Sequence, residues 1–320
     1  MSENIYSGPA KVYRGTTGFF PEGENGATKY EVKQEKIDRS SGFHGRVTSL
    51  QGNSVDVIST TPWDSWGNLG ELFPAYLGVS VGARAGALVI GTRPHGAAAG
   101  DVTTKVWALD GRMITMARSA ITKHPEIHLG VDKPLFGPIE ITGILASAKK
   151  LGDAGAFRTY AASGAADPGG VFTMADFQAG AWTGAWGTTV GWGGDGGDTI
   201  EAEDEWVLSN DIKYSPLVVQ KLVRGYKLDS VSFMAKVRPY GPTQAQIDTA
   251  INAGTLGKQF SGGDLVLTGP NAKTITLKNA GVFGAGYEFG GTKLGNGEVG
   301  FVNTMVFTAG VPQPLVLFSA

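Results

Sequence analysis

The chain has 320 residues, with 27 lysines and arginines against 29 aspartates and glutamates, a formal net charge of -2 and no cysteine. That balance argues against a broad grip on nucleic-acid phosphates or on an anionic membrane, and the absence of thiols excludes disulfides and thiolate chemistry. Forty-nine glycines among abundant Thr, Val and aromatic residues predict short strands joined by tight turns, and the length predicts two domains of about 150 residues.

Residues 1–10 are expected as a loose arm; Met1-Ser2-Glu3-Asn4 lacks the basic patch and apolar run of an export signal. Ala10 to Arg14 reads as a first strand. Tyr30 to Ile37 alternates Tyr30, Val32 and Gln34 with Glu31, Lys33 and Glu35, the pattern of an exposed strand. Ser54 to Ser59 is a clearer strand, with Val55 and Val57 on one face and Ser54 and Asp56 on the other. After Pro62 the period lengthens. Asp64 or Ser65 is placed to cap a short helix carrying Trp66, Leu69, Leu72 and Phe73, stopped by Pro74. A Gly/Ala-rich loop spans Gly91 to Thr104.

The link from Leu145 to Ala181 contains the turn signal Asp167-Pro168-Gly169-Gly170, and Thr173 is placed to cap one helical turn through Met174 and Phe177. From Gly152 to Ile212 there is one base, Arg158, against ten acids, which argues against a polyanion site. A second helix is predicted from Thr243, with Ile247, Ala250 and Ile251 as its stripe and Gly254 as its stop. Strands then follow, Ile275 and Leu277 facing away from Thr274, Thr276 and Lys278. No charge occurs after Glu298, but Gly300, Asn303, Gly310, Pro312 and Pro314 interrupt any membrane helix there. Val299 to Phe307 is therefore expected as a last strand, followed by an extended tail.

The chain echoes itself. Ile114 to Ile121 reads against Ile275 to Val282, Lys133 to Ile139 against Lys293 to Val299, and Leu88-Val89-Ile90 against Leu265-Val266-Leu267. Gly15-Thr16-Thr17 matches Gly187-Thr188-Thr189, and Val55 to Pro62 matches Val231 to Pro239. Such colinear pairs predict one fold duplicated in tandem, with one helix against a mostly antiparallel sheet in each copy.

Chemistry-bearing patterns are sparse. His124 and His128 flank Glu126, yet Pro125 opposes a helix and no third zinc ligand is placed. Gly193-Gly194-Asp195-Gly196-Gly197-Asp198-Thr199-Ile200 matches a single calcium-binding nonapeptide, where stacked copies are required. Trp182, Trp186 and Trp192 are either a sugar-stacking platform or core. Gly254 to Lys258 lacks the phosphate-loop glycine and hydroxyl, since Asn252 and Gln259 stand at those places, and no Gly-x-Ser-x-Gly elbow occurs. Asp204 and Glu205 are strand neighbours that point oppositely. No enzyme, cofactor or metal is expected.

Ser7-Gly8-Pro9-Ala10-Lys11-Val12, Leu277-Lys278-Asn279-Ala280 and Gly286-Tyr287-Glu288-Phe289-Gly290-Gly291-Thr292-Lys293, together with the repeat, resemble the major tail (tail tube) proteins of long-tailed bacteriophages. The resemblance covers most of the chain outside the link and the Gly91 to Thr104 loop. It implies a mainly β fold of two tandem tail-tube-like β-sandwich or barrel units, each with a short flanking helix. Their expected bounds are 1–148 and 182–320, joined by a linker at 149–181. It further implies a virion protein, made in the host cytoplasm, whose rings stack into a tube that conducts DNA without sequence-specific binding. A duplicated unit implies homotrimeric rings, with a tape measure protein and terminator or baseplate proteins as further partners, and no membrane. Lumen-facing candidates are Ser54, Asp56, Ser230 and Ser232; assembly-contact candidates are Ser7, Pro9, Arg93, His95, Pro312, Pro314 and Phe318. The alternatives are a carbohydrate-binding surface module using the tryptophans, or another tail ring component of the same fold.

Overall fold

Alternating apolar and polar residues, punctuated by glycine and proline, give a mainly β chain. The computed structural model describes residues 10–15, 17–19, 28–41, 43, 45–91, 102–131, 133–145, 154–169, 180–187, 199–219, 222–240, 263–283, 287–288, 295–305, 307–308 and 311–319. The first half comprises β1 (Ala10–Arg14), β2 (Thr17–Phe19), β3 (Lys29–Ser41), β4 (Gly45–Thr60), a 3-10 turn (Trp66–Asn68) running into α1 (Leu69–Leu72), β5 (Val79–Val81), β6 (Val102–Ala108), β7 (Met113–Lys123), β8 (Ile127–Gly130), β9 (Ile139–Gly143) and β10 (Arg158–Ala161). The second comprises β11 (Thr183–Trp186), β12 (Ile200–Val219), β13 (Leu222–Pro239), β14 (Leu265–Thr268), β15 (Thr274–Leu277), β16 (Ala280–Phe283), β17 (Tyr287–Glu288), β18 (Gly295–Asn296), β19 (Val299–Asn303), β20 (Phe307–Thr308), β21 (Val311–Pro312) and β22 (Val316–Ser319).

The antiparallel pairings of the second half follow those of the first. The first sheet runs β1, β6, β7, β9, β4, β3; the second runs β11, β14, β15, then β16, β19, β13, β12. β15 and β16 are the two ends of what β7 is in one piece, broken at Asn279, whose φ is 46°. Because β11 also pairs with β12, the second sheet closes a circuit. Registers agree as well. Val106 lies opposite Ile114 as Leu267 lies opposite Ile275, and Ile121 opposite Ile141 as Val282 opposite Phe301. Gly15 and Gly187 end β1 and β11 with φ of 59° and 55°, and donate to Thr103 O at 2.9 Å and Asp264 O at 3.0 Å. Only glycine adopts that left-handed geometry without strain.

The stretch expected as a linker contributes a strand. β10 pairs with β7, Tyr160 opposite Ile114, in the register by which β22 pairs with β15, Phe318 opposite Ile275. Lys11 binds Asp167 at 2.5 Å and Trp107 Nε1 donates to Ala165 O at 2.9 Å, fastening the same stretch to the first sheet. The expected C-terminal tail is likewise a closing strand, with Val316 and Phe318 fully buried.

The halves exchange strands. β8 of the first half pairs with β12, and β5 lies parallel to β22. The α1 segment also crosses over: Trp66 stacks on Trp182 with centroids 6.0 Å apart, and Phe73 meets Phe318 and Phe233 at 5.9 and 6.2 Å. One continuous apolar core therefore spans both sheets.

Three local expectations are corrected. Neither Asp64 nor Ser65 caps the helix by a side-chain hydrogen bond; Asp64 instead accepts Leu135 N–H at 2.6 Å. The counterpart of Leu265 to Leu267 is Thr104 to Val106 in β6, whereas Leu88 bridges to Leu77 and Val89 and Ile90 are about half exposed. The predicted helix from Thr243, the turn at Thr173 and the glycine-rich nonapeptide up to Asp198 lie outside the described residues.

Candidate assembly surface

Two long hairpins project from equivalent places. β3 and β4 pair from Lys29 and Ser59 out to Ser41 and Gly45, but β9 accompanies β4 only from Val57 to Thr60. β12 and β13 pair out to Val219 and Leu222, while β19 accompanies β13 only from Met234 to Val237 and β8 accompanies β12 only from Glu205 to Leu208. Beyond those points no described strand accompanies either hairpin, but the second packs on the first half: Leu228 O accepts Gly91 N–H at 2.8 Å, Val223 O accepts Leu145 N–H at 3.5 Å, and both side chains are buried. A ribbon of two strands is marginally stable in water, and its open edges are templates for another strand. Phe43 is 90% exposed at the first tip, and Val218 and Val219 are 48% and 53% exposed at the second.

Several charges on these ribbons are paired locally. Glu31 binds Lys29 at 2.7 Å and Lys33 at 3.2 Å, and these ammonium groups hold its carboxyl below the usual range. Lys213 meets Asp211 at 3.0 Å, and Lys227 meets Asp229 at 3.4 Å. Residues two apart share a strand face, so alternating signs at these positions offset one another.

The lumen candidates do not form one face. Asp56 is buried at 1% exposure, bound by Arg158 Nη1 at 2.6 Å beneath β10. Its burial raises its pKa, with the Arg158 guanidinium opposing the shift. Ser230 and Ser232 are exposed on β13. The reason is register: Ile58 faces β9 where Ala235 faces β19, which makes Phe233, not Ser232, the counterpart of Asp56. A slip of one residue exchanges the two faces of a strand. Ser54 sits on β4 opposite Gln34.

Of the assembly candidates, Ser7, Pro9, Arg93 and His95 lie outside the described residues, and Pro312 and Pro314 are half-buried. Phe318 is corrected outright. At 1% exposure it packs on Trp66 and Phe73 in the core, because its strand completes the second sheet. The tryptophans are also core: Trp182 and Trp186 are 3% and 6% exposed, and Trp186 donates to Ala280 O at 2.9 Å. Those two cannot serve as a sugar platform; Trp192 lies outside the described residues.

The two histidines go to separate places. His124 Nδ1 lies 2.7 Å from Leu72 O, so Nδ1 carries the proton and Nε2 accepts from Tyr214 O–H at 2.7 Å; Tyr76 O–H donates onward to Tyr214 at 3.3 Å. Burial pushes the imidazole pKa down to about 4 and the Tyr76 phenol up to about 12. This chain of bonds ties α1 and the β7–β8 connection to the second hairpin, and the sequence offered no sign of it beyond the residue types. His128 instead binds Glu205 Oε2 at 3.0 Å. Its partner Glu205 lines a cleft of about 530 Å³ together with Lys133, Glu203, Lys236, Arg238 and Glu298 among others. There Lys133 binds Glu205, Lys236 meets Glu298 at 2.9 Å, and Arg238 lies 4.0 Å from Glu203. Of these pairs Lys133–Glu205 joins the halves and the other two lie within the second, and no group of three metal-ligating side chains occurs among the described residues.

No protein-family model matches the chain, and no curated protein shows significant similarity to it.

Proposed function

We infer that this protein is a structural subunit that assembles with copies of itself into stacked rings, forming the tail tube of a long-tailed bacteriophage through which DNA passes. The observation that carries this reading is a pair of sheets of matching strand order, the first open and the second closed, each extending a long hairpin. Sheets of matching order joined side by side are the elements of a ring, and long hairpins supply further backbone donors and acceptors for neighbours. The sequence resemblance to major tail proteins points the same way.

The local ion pairs seen on both hairpins also suit a conduit. Each lysine or arginine engaging a phosphate adds salt-dependent grip, which would retard sliding DNA. In this reading the two units stand for two of six ring positions, so three chains complete a ring. The partners are the chain itself, a tape measure protein inside, terminator and baseplate proteins at the ends, and DNA without base recognition; the setting is the virion, after assembly in the host cytoplasm. Electron microscopy of the purified protein tests it: tubes with an axial ring repeat are expected, and monodisperse monomers at every concentration and salt would overturn it.

A further inference from the structure

The junction between the two halves is directional. β8, from the first half, adds to the outer side of β12 in the second, with Ile127 opposite Leu208 and His128 opposite Val207. Both partners have a counterpart whose corresponding side carries no such pairing. β17 corresponds to β8: Tyr287 faces Asn296 as Ile127 faces Phe136, each 160 positions apart. β3 corresponds to β12, since Tyr30 faces Ile58 where Leu208 faces Ala235. Among the described residues β17 pairs only with β18, and β3 ends the first sheet.

We propose that β17 of one copy adds antiparallel to the outer side of β3 in another copy, repeating between chains the junction that β8 and β12 make within the chain. Transferring the internal register sets Tyr287 opposite Tyr30 and Glu288 opposite Lys29. The second pair carries opposite charges where the internal junction has His128 and Val207, and cross-strand pairs of opposite charge favour a register. Main-chain hydrogen bonds supply the attachment and side chains its specificity. The contact is heterologous, second half to first half, so it propagates from chain to chain and closes only by rotation.

A second feature runs in the same direction. β5 of the first half flanks β22, while no described strand flanks β10, the counterpart of β22. Both internal donations thus pass from first half to second, and both first-half acceptors lie at sheet margins. This inference rests on the ring reading above and specifies its chain-to-chain contact.

The cysteine-free chain allows a direct test. Lys29→Cys and Glu288→Cys are prepared separately as full-length proteins, mixed under assembly conditions, and treated with oxidant or a short thiol crosslinker. A covalent dimer in the mixture, at least tenfold above either variant alone, is expected, and the double variant should give a ladder of oligomers. Lys29→Glu and Glu288→Lys should each weaken assembly several-fold, and their combination should restore it. Dimers of Lys29→Cys alone, or a crosslink confined within single chains of the double variant, would overturn the proposal. Rings or tubes seen by microscopy without a 29–288 crosslink would overturn this junction and leave the tube reading standing. Unassembled monomers without any crosslink would overturn both.

Discussion

At the scale of single residues, burial rather than reactivity sets the chemistry. His124 has a folded pKa of about 4 against an ordinary value of 6.5. A base with a depressed folded pKa leaves the unfolded chain binding more protons between those values, so stability falls as pH drops through that window. The loss is roughly 3 kcal/mol at full protonation of the unfolded state. Urea denaturation at pH 7.5 and pH 4 should show it. His124→Phe should be less stable at pH 7.5, since Leu72 O and the Tyr214 O–H lose their histidine partner, with a flatter decline toward pH 4. Asp56 and Glu71 act in the opposite sense, because burial raises their carboxyl pKa values and stability falls as pH rises through them. A second residue-level prediction concerns Gly184, where a Cβ would sit 2.4 Å from the Trp206 ring. Gly184→Ala should cost about 1–3 kcal/mol by overpacking, read as a lowered urea midpoint with an unchanged slope.

At the scale of elements, β22 and the hairpin tips should respond in opposite ways. Removing Val316 to Ala320 strips a buried strand and the Phe318 ring from the core, and should leave the chain unfolded by near-UV circular dichroism. Phe318→Ala alone should cost about 3–5 kcal/mol. Val218→Lys with Val219→Lys alters exposed positions at a hairpin end and should change stability by about 0.5 kcal/mol or less. If the second hairpin contacts a neighbouring copy, the same pair should shorten or abolish tubes under the microscope. Tubes of normal length from that variant would remove this tip from the contact.

At the scale of the whole molecule, strand exchange makes the two halves one folding unit. With a single core across both sheets, calorimetry should give one transition, and the isolated fragments 1–169 and 180–320 should each be unfolded. Independent melting of either fragment would show that β5, β8 and the α1 segment are dispensable for the half they join. Ring averaging should return three chains per ring; six would require each chain to fill one position.

Much of this was legible in the chain itself. Short-range periodicity marks strands and the short helix at Trp66 to Phe73, because the apolar spacing within an element reflects its own geometry. The echo of Ile114 to Ile121 in Ile275 to Val282 survives because both stretches hold the same place in their sheets. What lay beyond the sequence was partnership. A period of two looks alike whichever strand lies alongside, so nothing local reveals that β8 joins β12 or that β5 joins β22. Arg158-Thr159-Tyr160-Ala161 and Val316-Leu317-Phe318-Ser319 make equivalent pairings yet share no composition, since the first is largely exposed and the second buried under Trp66 and Phe73. The same long-range register decided that Asp56 is enclosed with Arg158 while Ser232 faces outward. Local pattern selected the elements, and hydrogen-bond register with burial between distant segments decided which strand edges are filled among the described residues.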